Sequence, residues 1–250
     1  MKALVVCKHP ENSKEAESCR IIEKDFSPVY SWKNDLSKKD LEGIDLVIAI
    51  GGDGTVLSAA HYLIDKPILA VNSSPSTSEG ALTTISVDEL DDKLKEIKNN
   101  NAKEEKLERI EVLINNQPLD LLALNEVFIA NEKAYLISKY NVKFKAKEEE
   151  QRSSGIIFST GTGSTAWFKS AGGSPFSSQS KFIEMIVREP YIRRISKFSM
   201  LKETIKENEE FEITPLVPSV LAVDSIREFK VKKGDSIKIR ISKHPLRRIK

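Results

Sequence analysis

Gly51-Gly52-Asp53-Gly54-Thr55 sets one carboxylate among three glycines, directly after the apolar run Leu46-Val47-Ile48-Ala49-Ile50. An apolar run of that length ending in glycine reads as a buried strand, and Val56, Leu57, Ala59, Ala60, Leu63 and Ile64 recur behind it at helical spacing. The motif therefore falls on a strand-to-helix turn. Glycines there allow positive φ and close approach of a ligand to the main chain, while the helix start offers unpaired N–H groups at the positive end of a dipole. Such a turn suits phosphate. A carboxylate beside it repels that ligand unless it has chemical work or a cation partner, so the motif alone leaves Asp53 open as a helix cap or a reagent.

Two later stretches also carry chemistry. Asn125-Glu126 is a polar pair set between Leu124 and Val127-Phe128-Ile129, although a polar pair at a strand edge often only faces water. Ser159-Thr160-Gly161-Thr162-Gly163-Ser164-Thr165-Ala166-Trp167 is a strand end passing into a turn dense in hydroxyls and N–H groups and closed by an aromatic. Small residues admit a planar ligand and Trp167 offers a π face; the bland reading is a capping turn with a core tryptophan. His9, His61 and His244 lack metal-ligand spacing, and no metal-ligand set is read elsewhere. Glu148-Glu149-Glu150 reads as a solvated turn.

The elements that must position these residues fall into two groups. In residues 1–100, predicted strands at 3–7, 28–32, 45–50 and 67–71 alternate with helical segments, including one opened by a capping box at Asn12 and Glu15 and one over 87–100 capped by Asp88. This implies an α/β domain with a parallel sheet and ligands at the carboxyl ends of its strands. The polar stretch 72–80 is a loop at that rim, suited to wall a site. In residues 101–250 apolar and polar positions alternate, as in Ile110, Val112, Ile114 and Ile237, Ile239, Ile241, with further strand expected over 119–124 and 126–130. That half is a mostly antiparallel, β-rich, sandwich-like domain, its C-terminal end free to pack back on the first.

Composition narrows the class. With 40% hydrophobic and 30% charged residues the chain reads as a soluble globular protein. Its 39 Lys and Arg against 37 Asp and Glu leave no global field for nucleic acid. Arg247-Arg248 reads as a solvated tail. Two cysteines, Cys7 and Cys19, argue against a disulfide or zinc scaffold. The N-terminus enters a strand too short for a signal peptide or membrane span, so no membrane and a cytoplasmic location are expected.

Taken in order, the GGDGT turn, Asn125-Glu126 and the Gly-Ser-Thr-Ala-Trp turn resemble the NAD kinase family over most of the chain. GGDGT by itself is shared with diacylglycerol- and sphingosine-type lipid kinases. The resemblance implies transfer of the ATP γ-phosphate to the adenosine 2′-hydroxyl of NAD, with Mg²⁺ on the donor, ATP or polyphosphate as that donor, and NAD bound between the domains. It implies Asp53 as the catalytic carboxylate, with Gly51, Gly52, Gly54 and Thr55 at phosphate and Asn125, Glu126, Thr165, Ala166, Trp167, Ser170 and Asp224 holding nucleotide. It also implies a homodimer or homotetramer. Ser225 stands where the family's late Asp-Gly motif has glycine, and Ser153-Ser154-Gly155 lacks an aspartate that many bacterial members carry. That Ser-Ser-Gly stretch and Ser78-Glu79-Gly80-Ala81-Leu82, with the Gly161-Thr162-Gly163-Ser164 run and Trp167, look closest to the mitochondrial-type branch. The rival readings are a lipid kinase and a noncatalytic NAD-binding sensor.

Overall fold

A computed structural model describes residues 1–8, 13–75, 80–192 and 198–250. The chain divides into two compact units, Met1–Leu107 with Pro245–Lys250, and Glu108–His244. His9, Asn12 and residues 76–79 of the 72–80 loop lie outside the described residues.

The first unit is built on a seven-stranded sheet in the order Val29–Trp32, Ala3–Cys7, Leu46–Ile50, Pro67–Asn72, Leu246–Ile249, Glu104–Leu107, with Ile85–Ser86 also paired to Pro67–Asn72. All pairings are parallel except that of Leu246–Ile249 with Glu104–Leu107. Ala3–Cys7 and Leu46–Ile50 are buried at every position, which is why both read as unbroken apolar runs. Ile22 and Phe26 from the first helical segment and Leu90, Leu94 and Ile97 from helix Leu90–Lys98 join their core. That last helix is entered through the 3-10 turn Val87–Glu89, and its capping box is Ser86 with Glu89, not Asp88. Glu15 is buried and accepts a hydrogen bond from Ser73 Oγ at 3.3 Å.

The expected C-terminal tail is strand. Leu246–Ile249 is inserted between Pro67–Asn72 and Glu104–Leu107, where Arg247 grips Glu104 through two N–H groups and Arg248 donates twice to Glu105 Oε1. Two arginines that look solvated in sequence are thus balanced by Glu104 and Glu105 on the neighbouring strand. The same strand carries the first unit beyond the boundary expected near residue 100.

The second unit holds two six-stranded antiparallel sheets. One runs Lys147–Ser153, Ser138–Phe144, Glu210–Pro215, Ile237–Ile241, Ile110–Ile114, Gln117–Pro118; the other runs Lys202–Lys206, Phe182–Arg188, Gly155–Ser159, Glu126–Asn131, Ser219–Val223, Arg227–Val231. Phe211 of the first sheet stacks on Phe144 at 5.3 Å and meets Phe158 of the second edge-on at 5.2 Å, so the core lies between the sheets. Residues 148–150 are not a turn. They belong to edge strand Lys147–Ser153, and Glu149 accepts N–H bonds from Ser199 and Met200. Residues 119–124 do not continue as strand: apart from a single bridge at Ala123 they form an irregular segment, buried from Leu121 to Leu124.

Candidate functional site

Asp53 opens helix Asp53–Ala60 at the carboxyl end of the central strand Leu46–Ile50. Its carboxylate is held by the main chain of a later loop, Leu82 N–H donating to Oδ1 at 2.8 Å and Ala81 N–H to Oδ2 at 3.2 Å. Each oxygen keeps acceptor capacity. Gly51 has φ of +152°, and a β-carbon there would lie 2.5 Å from Thr55 Oγ1, so glycine is required both by conformation and by the Thr55 hydroxyl. That hydroxyl is buried and has no hydrogen-bond partner.

Lys33, which sequence reading passed over, reaches the same turn. Its Nζ lies 3.2 Å from where a β-carbon on Gly54 would be. The signal available was position: Lys33 immediately follows a predicted strand, at the ligand-binding rim of a parallel sheet.

In the second unit, Asn125, Glu126, Asp224 and the Thr160–Gly163 stretch come together at one end of one sheet. Strand Glu126–Asn131 lies between Gly155–Ser159 and Ser219–Val223, pairing Glu126 with Ser159 and Val127 with Val223. Asp224, following Val223, turns its carboxylate back onto three N–H groups: Leu124 at 2.8 Å, Asn125 at 2.8 Å and Glu126 at 2.9 Å. These bonds take the N–H groups of Leu124 and Asn125, just ahead of strand Glu126–Asn131. Thr160 donates from Oγ1 to the Leu124 carbonyl at 2.6 Å, and its N–H reaches the Asn125 carbonyl at 2.9 Å. A β-carbon on Gly163 would fall 2.3 Å from that carbonyl oxygen. The small-residue turn is thereby seated on the Asn-Glu pair.

Glu126 is 4% exposed, so it does not face water as a strand-edge pair often does. Burial, then the nearby Asp224 carboxylate, push its carboxyl up to about 7, while the Ser225 hydroxyl, donating to Oε1 at 3.2 Å, favours the ionised form. Asp224 and Ser225 both have positive φ, 49° and 55°, the conformation for which the family's glycine is suited. Asn125 Oδ1, Glu126 Oε2 and Thr162 Oγ1 are buried without a hydrogen-bond partner. Three such groups together suit a ligand rich in hydroxyl and amine groups.

Thr165 and Ala166 are exposed at the end of the turn, and Ser170 is exposed on the short helix Trp167–Ser170. Trp167 is half-buried. Its ring lies 4.6 Å from that of Phe128, with the Arg188 guanidinium 5.4 Å from the indole, so its π system already has partners. Ser154, at the position of the missing aspartate, donates to the Glu189 carboxylate. His61 is buried, and the His244 carbonyl accepts from Arg109 Nε at 2.7 Å.

An α/β unit bearing a carboxylate in a glycine turn, followed by a β sandwich with unfilled polar groups at one end, has the makings of a nucleotide phosphotransferase. Residues 4–102 match the model of the ATP-NAD kinase N-terminal domain and residues 124–250 that of the ATP-NAD kinase C-terminal domain. The chain belongs to the NAD kinase family. It is 29% identical over 211 residues to an NAD kinase of Methanosarcina barkeri, covering 82% of this chain and 73% of that protein. An NADH kinase of Arabidopsis thaliana is 31% identical over 209 residues, covering 73% and 65%. The crystal structure of an NAD kinase from Archaeoglobus fulgidus in complex with ATP superposes with a TM-score of 0.79 at 25% identity, covering 100% of this chain and 94% of that one.

Proposed function

We propose that this chain phosphorylates NAD at the 2′-hydroxyl of its adenosine ribose, with ATP as donor and Asp53 as general base. The family is one of NAD-directed phosphotransferases, and family membership separates the chain from the lipid kinases that share GGDGT. The bond from Pγ to the β,γ-bridging oxygen breaks and its electron pair leaves on ADP. The 2′-oxygen bonds to Pγ, and its proton passes to Asp53. The observation that carries this reading is the Asp53 carboxylate, carried by the glycine turn, fixed by the N–H groups of Ala81 and Leu82, and with acceptor capacity left on each oxygen. General-base help of this kind contributes about 10²- to 10⁴-fold; positioning and charge neutralisation supply the rest.

Gly51, Gly52, Gly54 and Thr55 take the donor phosphates. Asn125, Glu126, Thr165, Ala166 and Ser170 hold NAD. Asp224 acts through the main chain that it fixes, and Trp167 by packing the turn on Phe128. Among the described residues no group of three or more His, Cys, Asp or Glu side chains is arranged to hold a metal ion. Mg²⁺ would enter on the triphosphate, with Asp53 as the nearby carboxylate, and would supply neutralisation of the phosphate charge. No helix among the described residues is long and apolar enough to cross a membrane. The free thiols Cys7 and Cys19 suit a reducing compartment such as the cytoplasm. A homodimer or homotetramer would cover the exposed Tyr135, Leu136 and Ile137.

Asp53→Asn is expected to retain NAD binding by calorimetry and to lose most formation of NADP from NAD and MgATP. Near-wild-type turnover would overturn the base assignment. Diacylglycerol serves as the control acceptor and polyphosphate as the alternative donor.

A further inference from the structure

Lys33 follows strand Val29–Trp32, and its N–H donates to the Cys7 carbonyl at 3.0 Å, which fixes it at the carboxyl end of the sheet beside strand Ala3–Cys7. From there its side chain crosses to the first turn of helix Asp53–Ala60, ending 3.2 Å from the β-carbon position of Gly54. Unlike Gly51, Gly54 has no left-handed φ to account for it. A β-carbon there would press on the ammonium, which would have to give by a few tenths of an ångström.

The ammonium is half-buried, and among the described residues no carboxylate forms an ion pair with it. Burial, and then the like charge of Lys8, push the Lys33 pKa below the usual lysine range. Removing a cation partly from water beside a second cation is unfavourable unless an anion completes the site. The neighbouring groups are also donors without acceptors: the buried Thr55 hydroxyl has no partner, and the helix start presents N–H groups. Asp53 sits in the same turn with its oxygens drawn toward Ala81 and Leu82.

We propose that Lys33, with Lys8 adding to the field, receives the terminal phosphates of the donor nucleotide, and that Gly54 is glycine to admit its ammonium. This rests on the reading of the glycine turn as the donor-phosphate cradle. A lysine there supplies a compact point charge with three donors, able to follow the phosphoryl oxygens as charge builds on them.

The test uses the full chain. Lys33→Met is expected to raise KM for MgATP, and to weaken binding of a nonhydrolysable ATP analogue, about 10- to 100-fold, the range for a charge-assisted hydrogen bond. The Kd for NAD should stay unchanged, which also reports that the variant is folded. Lys33→Arg should recover only part of the loss, since its planar fork is bulkier beside Gly54. Gly54→Ala should weaken ATP binding in the wild-type background and add little in Lys33→Ala, where the space is vacant. Unchanged ATP binding in Lys33→Met, with Asp53→Asn still inactive, would overturn the lysine assignment and leave the phosphotransfer reading intact. Equal effects of Gly54→Ala in both backgrounds would overturn the close-approach argument. Failure of the wild-type chain to form NADP from NAD with either ATP or polyphosphate would instead overturn the underlying reading.

Discussion

Glu126 is the residue at which burial, charge and hydrogen bonding meet, and its behaviour with pH follows from them. Its carboxyl is raised from 4.5 to about 7 by burial first and by Asp224 second. Between those values the folded chain holds a proton that the unfolded chain releases, so raising pH through this window favours unfolding. Ligand-free protein is expected to lose stability from pH 4.5 to 7, and Glu126→Gln to remove that part of the slope in thermal unfolding. Ser225 modulates it. The hydroxyl donated to Glu126 Oε1 favours the ionised form, so Ser225→Gly should extend the loss to higher pH while relieving the positive φ of 55°. An unchanged pH slope in both variants would show that Glu126 is not the titrating group. The serine that departs from the family's glycine thus has a definite contact, at the cost of a strained backbone.

At the scale of elements, the small-residue turn works as a seat for the Asn125-Glu126 pair. Gly163 is where that seat is tightest: an added β-carbon would meet the Asn125 carbonyl oxygen at 2.3 Å, its carbon at 2.5 Å and its Cα at 2.6 Å, none of them the end of a flexible side chain. Gly163→Ala is expected to destabilise the chain by roughly 1–3 kcal/mol, as overpacking does, measured by urea unfolding, and to weaken NAD binding with it. Stability and NAD affinity both left intact would refute the seating. The turn itself was legible because glycine, serine and threonine crowd one short stretch. Its partner was not, because contact between residues 163 and 125 depends on sheet pairing that local periodicity does not specify. The same limit explains the misread elements. Buried strands such as Leu46–Ile50 announce themselves as apolar runs, whereas Lys147–Ser153 is a charged edge strand whose Glu149 is satisfied by N–H groups at Ser199 and Met200. Likewise 119–124 looks strand-like from apolar content alone, yet its Leu124 N–H goes to the Asp224 carboxylate, a hundred residues on, instead of to a neighbouring strand.

For the molecule as a whole, the last strand ties the chain's end to the Asp53 carboxylate. Leu246–Ile249 enters the first unit's sheet beside Pro67–Asn72, and Arg248, anchored on Glu105, donates from Nη1 to the Leu82 carbonyl at 3.0 Å. The N–H of that same Leu82 donates to Asp53 Oδ1 at 2.8 Å. Burial pushes the Glu105 carboxyl up, but Arg248 and Lys250 outweigh it and hold it below the usual range, so the anchor stays charged near neutrality. One arginine therefore holds the carbonyl of the same residue whose N–H aims Asp53. Arg248→Met should lower kcat about 10- to 100-fold, the cost of letting a reacting group move by an ångström, with little change in NAD affinity. Arg248→Lys, which keeps the charge without the fork, should recover only part of it. Loosening of the 80–82 segment is the accompanying signature: faster amide hydrogen exchange at Ala81 and Leu82 with Gly155–Ser159 unaffected. A variant with wild-type kcat, or one whose exchange rises equally across both units, would show that Arg248 supports only the sheet and not the aim of Asp53.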